Sequence, residues 1–154
     1  MYVDESGTQA CRKREYGRAP RGQKVKDIKS GKRPQGLNVI GALCDRRHLA
    51  LRCYRHSTKG EFFQQWFERL LELLPAGEGY TVIMDNAAFH RKKKLRKLAR
   101  GKVRLLFLPA YSPDFNPIEK SWANMKRYVR DNLGESRKLD CVVYDFFFRS
   151  NYLC

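Results

Sequence analysis

Apolar residues recur along this chain in two periods, and the changes between them mark out its elements. "MYVDESG" opens with a very short strand ending at Asp4, followed by Ser-Gly turn chemistry. Residues 11–34, "CRKREYGRAPRGQKVKDIKSGKRP", show no apolar period and are rich in Arg, Gly and Pro, the composition of a long loop or loose hairpin. "GLNVIGALCD" and "HLALRCYR" then read as two strands of a hairpin that turns at "DRR", residues 45–47. Thr58-Lys59-Gly60-Glu61 fits a T-x-x-E capping box. Phe63, Trp66 or Phe67, Leu70 and Leu74 follow at helical spacing, and Pro75 forces a stop.

"GYTVIMD" is short, β-rich and bounded by Gly79, which predicts a buried strand. "RKKKLRKLAR" places Leu95, Leu98 and Ala99 on one side of a basic helix, with Gly101 as its C-cap. "VRLLFLP" is another buried strand, followed by the loop "AYSPDF". The last clear helix begins at "NPIEKSWANMKRYVRDNL", with Asn116 as N-cap, Pro117 at the first position and Ile118, Trp122, Met125 and Val129 as its apolar stripe. Beyond Gly134, "CVVYDFFFRSNYLC" reads equally as strand or helix at the edge of the core. This alternation predicts an α/β protein, a mixed sheet with helices packed on it. Right-handed crossovers would open the carboxyl ends of the last strands on the same side.

Composition adds a partner to this picture. The 154 residues fit one domain able to bury a core, with 42% hydrophobic and 12% aromatic residues. Thirty-two Lys and Arg against sixteen Asp and Glu leave a net charge of +16, a field that attracts polyanions. No stretch approaches the ~20 apolar residues of a membrane span and no signal peptide is visible, so nucleic acid is the expected partner and the membrane is not. The five cysteines, at 11, 44, 53, 141 and 154, form no C-x-x-C pair and are expected to be free thiols in a reducing cytosol.

Three carboxylates stand out against that background. Asp4 and Asp85 each close a predicted strand, and parallel neighbours would present both at the carboxyl edge of the sheet, where ligands of open α/β sheets bind. Glu119 lies in the first turn of the last clear helix, within reach of that edge through the loop at 109–116. Hard Mg²⁺ ions are held by a few carboxylates and substrate phosphate oxygens, and two such ions promote phosphodiester chemistry. Each carboxylate also has a structural explanation. Asp85 before Asn86 can end a strand and cap a helix; Glu119, three residues after Asn116, can complete a capping box; Asp4, beside Glu5, can be a solvated turn residue.

"YVDESG", "YGRAPRGQKV", "VIMDNAAFH" and "LPAYSPDFNPIEKSWANMKR" together resemble the catalytic domain of bacterial insertion-sequence transposases of the Tc/mariner superfamily, the DDE endonuclease group. The resemblance runs in order from about residue 2 to 130, with Glu119 thirty-four positions after Asp85. It implies an RNase H-like fold with a mixed five-stranded sheet flanked by helices. It also implies a triad of Asp4, Asp85 and Glu119 holding two Mg²⁺ or Mn²⁺ ions. Related enzymes hydrolyse a phosphodiester at a transposon end and use the freed 3′-hydroxyl to attack target DNA.

Around the triad, Asn86 and His90 match the family motif and are expected to support Asp85 or touch DNA. Asp114 and Asn116 are expected to shape the loop that holds Glu119. Trp122, at core spacing, reads as packing. Arg18, Arg21 and Lys24, with Arg91, Lys92, Lys93 and Lys94, are candidate phosphate contacts that position DNA without reading bases. Full-length relatives carry an amino-terminal helix-turn-helix domain, and none is visible before Asp4, so residues 1–154 are expected to be the catalytic domain alone. Expected partners are transposon ends and target DNA, a second copy of the chain on that DNA, and a separate helix-turn-helix polypeptide. The expected setting is the bacterial cytoplasm at the nucleoid. The competing reading is an inactive, basic DNA-binding remnant of such an enzyme.

Overall fold

Eight consecutive residues, Tyr2–Gln9, form the central strand β1 in a computed structural model that describes residues 1–9, 20–22, 36–75, 77–110, 112–134 and 137–149. On one side β1 pairs antiparallel with β2 (Gly36–Cys44), which pairs antiparallel with β3 (Arg47–Tyr54). On the other it pairs in parallel with β4 (Tyr80–Met84), which pairs in parallel with β5 (Val103–Phe107). The sheet is therefore mixed and five-stranded, in the order β3-β2-β1-β4-β5.

The expected end of β1 at Asp4 is corrected by this ladder. Ser6 and Gly7 do not turn; they pair with Val39 and Asn38, and the strand runs on to Gln9. A continuous run of partners on β2 outweighs the local turn preference of Ser-Gly. The pairing with β4 stops much earlier, at Val3–Met84. Asp4 and Asp85 are thus the next residues of two adjacent parallel strands.

The β2–β3 hairpin closes through two residues, with Arg47 already paired to Cys44. Asp45 and Arg46 take φ values of 46° and 70°, the left-handed backbone of a type I′ turn whose twist matches the strands. The ladder shifts register between Ile40 and Ala42, where Ala50 also has a positive φ of 52°. Its carbonyl accepts a 2.6 Å hydrogen bond from the Trp66 indole, which ties this irregularity to the helix above.

Helices cover both faces. On one, α1 (Gly60–Leu73) and α2 (Lys92–Ala99) bury Phe63, Trp66, Phe67, Leu70, Leu95 and Ala99 against Val3, Ile40, Val82 and Met84. On the other, α3 (Ile118–Asn132) and α4 (Leu139–Arg149) bury Ile118, Trp122, Met125, Val142, Val143 and Phe147 against Leu37 and Val39. The carboxyl-terminal segment is thus a helix. Its apolar positions at 139, 142, 143, 146 and 147 share one face despite strand-like composition. Arg55 fixes it to β3 through two hydrogen bonds to Asp140, of 2.9 and 2.6 Å.

Two expected caps are absent. The Thr58 hydroxyl bonds the Tyr54 hydroxyl at 2.6 Å, and Lys59 precedes α1 without a side-chain cap. Gly60 opens that helix for a steric reason, since a Cβ there would lie 2.8 Å from the Phe89 carbonyl oxygen. Ahead of α3, Pro117 takes the capping position and no side chain caps the helix. The Asn116 N–H bonds the Pro113 carbonyl at 2.9 Å, so it is not available to Glu119 as the reciprocal half of a capping box. Among the described residues Cys44, Cys53 and Cys141 are free thiols, and no helix is long and apolar enough to cross a membrane. Cys11 and Cys154 lie outside the described residues.

Two stability measurements test this account. Phe67→Ala removes a fully buried ring from the α1 face and should cost about 3–5 kcal/mol in denaturant unfolding. Arg46→Gly relieves a left-handed residue in the turn and should stabilise by about 1 kcal/mol.

Candidate active site

Where β1 runs past the end of β4, the carboxyl edge of the sheet opens into a cleft of about 400 Å³. Asp4 from β1, Asp85 and Asn86 beyond β4, and Asn116 and Glu119 at the start of α3 all line it. The wall between them is the segment after β5, including Leu108, Pro109, Ser112 and Pro113. Leu108 is held to the sheet by its N–H bond to the Met84 carbonyl at 2.8 Å, and Pro113–Phe115 then form a single 3₁₀ turn. That path swings the chain back so that the first turn of α3 faces the strand ends.

The carboxylates occupy different environments. Asp4 is 7% exposed, and burial first, then the charge of Glu119, push its carboxyl up to about 7. A hydrogen bond from the Glu5 backbone N–H works against that shift, and so, less strongly, does a buried 3.1 Å bond from the Trp122 indole N–H to Asp4 Oδ2. Asp85 is half-exposed, and His90 holds its carboxyl below the ordinary range. Glu119 is exposed at the rim.

His90 lies behind Asp85, outside the cleft lining, and packs against Phe63 with ring centroids 4.2 Å apart. Its Nδ1 stands 3.1 Å from Asp85 Oδ1, and its Nε2 lies 3.5 Å from Glu5 Oε1. The second approach is an ion-pair contact, too long and poorly aligned to be a full hydrogen bond. Burial opposes the imidazolium, but the two carboxylates outweigh it and raise His90 to about 9. A protonated His90 thereby holds Asp85 from behind.

The remaining candidates divide. Asn116 is buried in the cleft wall, with its Oδ1 lacking a hydrogen-bond partner. Asp114 is exposed in the 3₁₀ turn and does not line the cleft. Within the basic block, Arg91 pairs with Glu61 at 3.5 Å and Lys92 lies over the Phe107 ring, while Lys93 and Lys94 are exposed. Arg21 is exposed; Arg18 and Lys24 lie outside the described residues. Two contributors were not read from the sequence as site residues. Trp122 follows Glu119 by three residues, one helix turn on, and Glu5 takes the strand face opposite Asp4. Both offsets are periodic signals that packing explains equally well.

The donor set suits a hard divalent cation. It consists of carboxylate oxygens with a buried amide oxygen nearby, and among the described residues no salt bridge reaches the buried Asp4 carboxylate. Among the described residues, no three His, Cys, Asp or Glu side chains stand close enough to hold one ion between them.

Residues 1–140 match the profile of the DDE superfamily endonucleases. An uncharacterized protein, y4pE/y4sA, of Sinorhizobium fredii is 28% identical over 94 residues, covering 61% of this chain and 65% of that protein. The transposable element Tcb2 transposase of Caenorhabditis briggsae is 38% identical over 55 residues, covering 35% of this chain and 20% of its own. The fold superposes on the Mos1 transposase paired-end complex with left transposon end at a TM-score of 0.69 and 16% identity, over 97% of this chain and 52% of that one. A Mos1 mariner paired end complex with Mn gives 0.62 and 16%, over 97% and 53%. The fold is therefore RNase H-like, as expected, and the chain spans about half the length of the Mos1 chains it matches.

The buried carboxylate generates a stability prediction. A carboxyl raised from 3.8 to about 7 on folding supports the fold fully only below pH 3.8, and that support is lost as pH rises through 7. With divalent ions chelated, Asp4→Asn should therefore melt roughly 5 °C above wild type at pH 8. The difference should close near pH 4; equal melting at both pH values would contradict it.

Proposed function

We propose that this chain, which belongs to the DDE superfamily endonuclease family and is of Tc/mariner type, cuts DNA phosphodiester bonds at the ends of a mobile element and joins the freed 3′-hydroxyl to target DNA. The observation that carries this reading is one cleft, at the sheet edge where β1 outruns β4, lined by Asp4, Asp85 and Glu119.

In this reading the three carboxylates hold two Mg²⁺ or Mn²⁺ ions. Held there, such ions would supply charge to activate an attacking oxygen and stabilise a leaving one. The chain supplies position and charge. His90 fixes the direction of Asp85, and the wall at 108–116 sets where α3 brings Glu119. Arg21, Lys93 and Lys94, with Arg18 and Lys24, grip phosphates and set the path of the strand across the cleft. Asn86, exposed on the cleft lining, would touch the DNA in this reading. Choice of the element's ends would come from a separate helix-turn-helix polypeptide or segment, and joining two ends calls for two copies of the chain on DNA.

Supercoiled plasmid and end-labelled duplexes, incubated with Mg²⁺ or Mn²⁺ with and without a fused helix-turn-helix domain, test this. Nicking should need metal and fall below about a hundredth of wild type in Asp85→Asn and Glu119→Gln, since loss of a mere supporting group already costs 10–100-fold. Binding without nicking under every condition would instead favour the inactive DNA-binding remnant. Lys93→Ala and Lys94→Ala should each weaken binding whatever the DNA sequence and flatten the salt dependence by about 1 in log–log slope.

A further inference from the structure

The Trp122 side chain is fully buried among apolar neighbours, yet its one polar group points out of that core to Asp4. The features around it converge on this bond. Trp122 follows Glu119 by one turn of α3, so a single helix carries one carboxylate of the cleft and the hydrogen-bond donor to another. Gly41 pairs directly with Asp4 across the β1–β2 ladder. A Cβ at Gly41 would lie 2.9 Å from Leu51 Cδ2, so the bare glycine makes room for Leu51, and 3.4 Å from Trp122 Cη2, an ordinary contact that puts the indole directly against this pair. Leu51 arrives there because the register shift in β2–β3 falls at this point. The ring is further boxed by His48, at 5.4 Å between centroids, and by the edge of Phe147 at 6.0 Å. His48 Nε2 in turn lies 2.7 Å from Ser121 Oγ, the residue preceding Trp122.

A tryptophan kept for bulk alone needs no partner of this kind, and a phenylalanine would fill most of the same space. An indole N–H on Oδ2 does more: together with the Glu5 backbone N–H it fixes the plane of the carboxylate, and it still leaves lone pairs for another ligand. We propose that Trp122 is a positioning residue for Asp4, its indole N–H orienting the buried carboxylate to receive a divalent cation. This rests on the metal-binding reading of the cleft and extends it to the residue that prepares its most buried ligand. The box of His48 and Phe147 then serves to set the indole.

The test is Mn²⁺ binding to the whole chain, with free ion counted by electron paramagnetic resonance. Wild type, Trp122→Phe, Asp4→Asn and the double variant are compared, each checked for a cooperative melt. Trp122→Phe should bind Mn²⁺ roughly 10-fold or more weakly, as loss of an orienting partner does elsewhere. In the Asp4→Asn background the same change should add nothing, because the two act through one interaction. Wild-type affinity in Trp122→Phe overturns the proposal, and so does an equal loss in both backgrounds, which marks general loosening of the core.

A readout independent of metal and of the Phe variant's folding is the indole N–H resonance in labelled protein. Asp4→Asn should move the Trp122 signal and leave that of Trp66, bonded to Ala50, in place; an unmoved Trp122 signal overturns the bond. A wild type that holds no Mn²⁺ at millimolar concentration defeats the metal reading and this proposal together. A wild type and a Phe variant that bind equally defeat this proposal alone.

Discussion

A carboxylate buried on the central strand is the constraint around which this protein is arranged. Asp4 is paired with β2 on one side, just past the end of β4 on the other, and lies beneath a helix, where an ionised side chain is costly unless something answers its charge. Its indole hydrogen bond answers a part, and the approach of Glu119 makes the remainder worse. A core optimised for stability alone would place an apolar residue there. The acid is instead held by an indole N–H beneath the open edge of the sheet.

The sheet supplies the geometry. Because β1 is paired on both sides only as far as Val3, its outer half leaves an open edge beside the end of β4, and the cleft forms there. The parallel β4–β5 pair returns the chain to the same edge, from which α3 crosses the opposite face. Each carboxylate thus comes from a different element, and their separation depends on packing between β1, β4 and α3 rather than on any local sequence.

The two sides of the cleft are supported differently. Asp4 is backed by the aromatic layer of α3 and α4, whereas Asp85 is backed by His90, which is itself pressed against Phe63 of α1. The helical layers on the two faces of the sheet therefore each brace one of the neighbouring aspartates. This gives the long aromatic side chains a role beyond filling volume. The four residues of the "RKKK" run are also not equivalent: Arg91 pairs with Glu61 at the surface and Lys92 lies over the Phe107 ring, leaving Lys93 and Lys94 for solvent or a polyanion.

Much of this was already written in the chain. Apolar periodicity marked α1, α2 and α3, the buried strands β4 and β5 were short β-rich runs, and the basic excess pointed to a polyanion. Three acids at strand and helix ends were legible as candidates because their positions follow from those periods. Other features were settled only by tertiary contacts. The extension of β1 through Ser6 and Gly7 needed a partner ladder on β2, and the helical state of 139–149 needed a hydrophobic face to dock upon, since its composition favours neither state. Thr58 and Asn116 carried capping signals that lost to a neighbouring tyrosine and to the wall of the cleft. The Trp122–Asp4 bond joins residues 118 positions apart. Local sequence determines what a segment prefers, but which buried polar groups must satisfy one another is decided only when distant elements exclude water together.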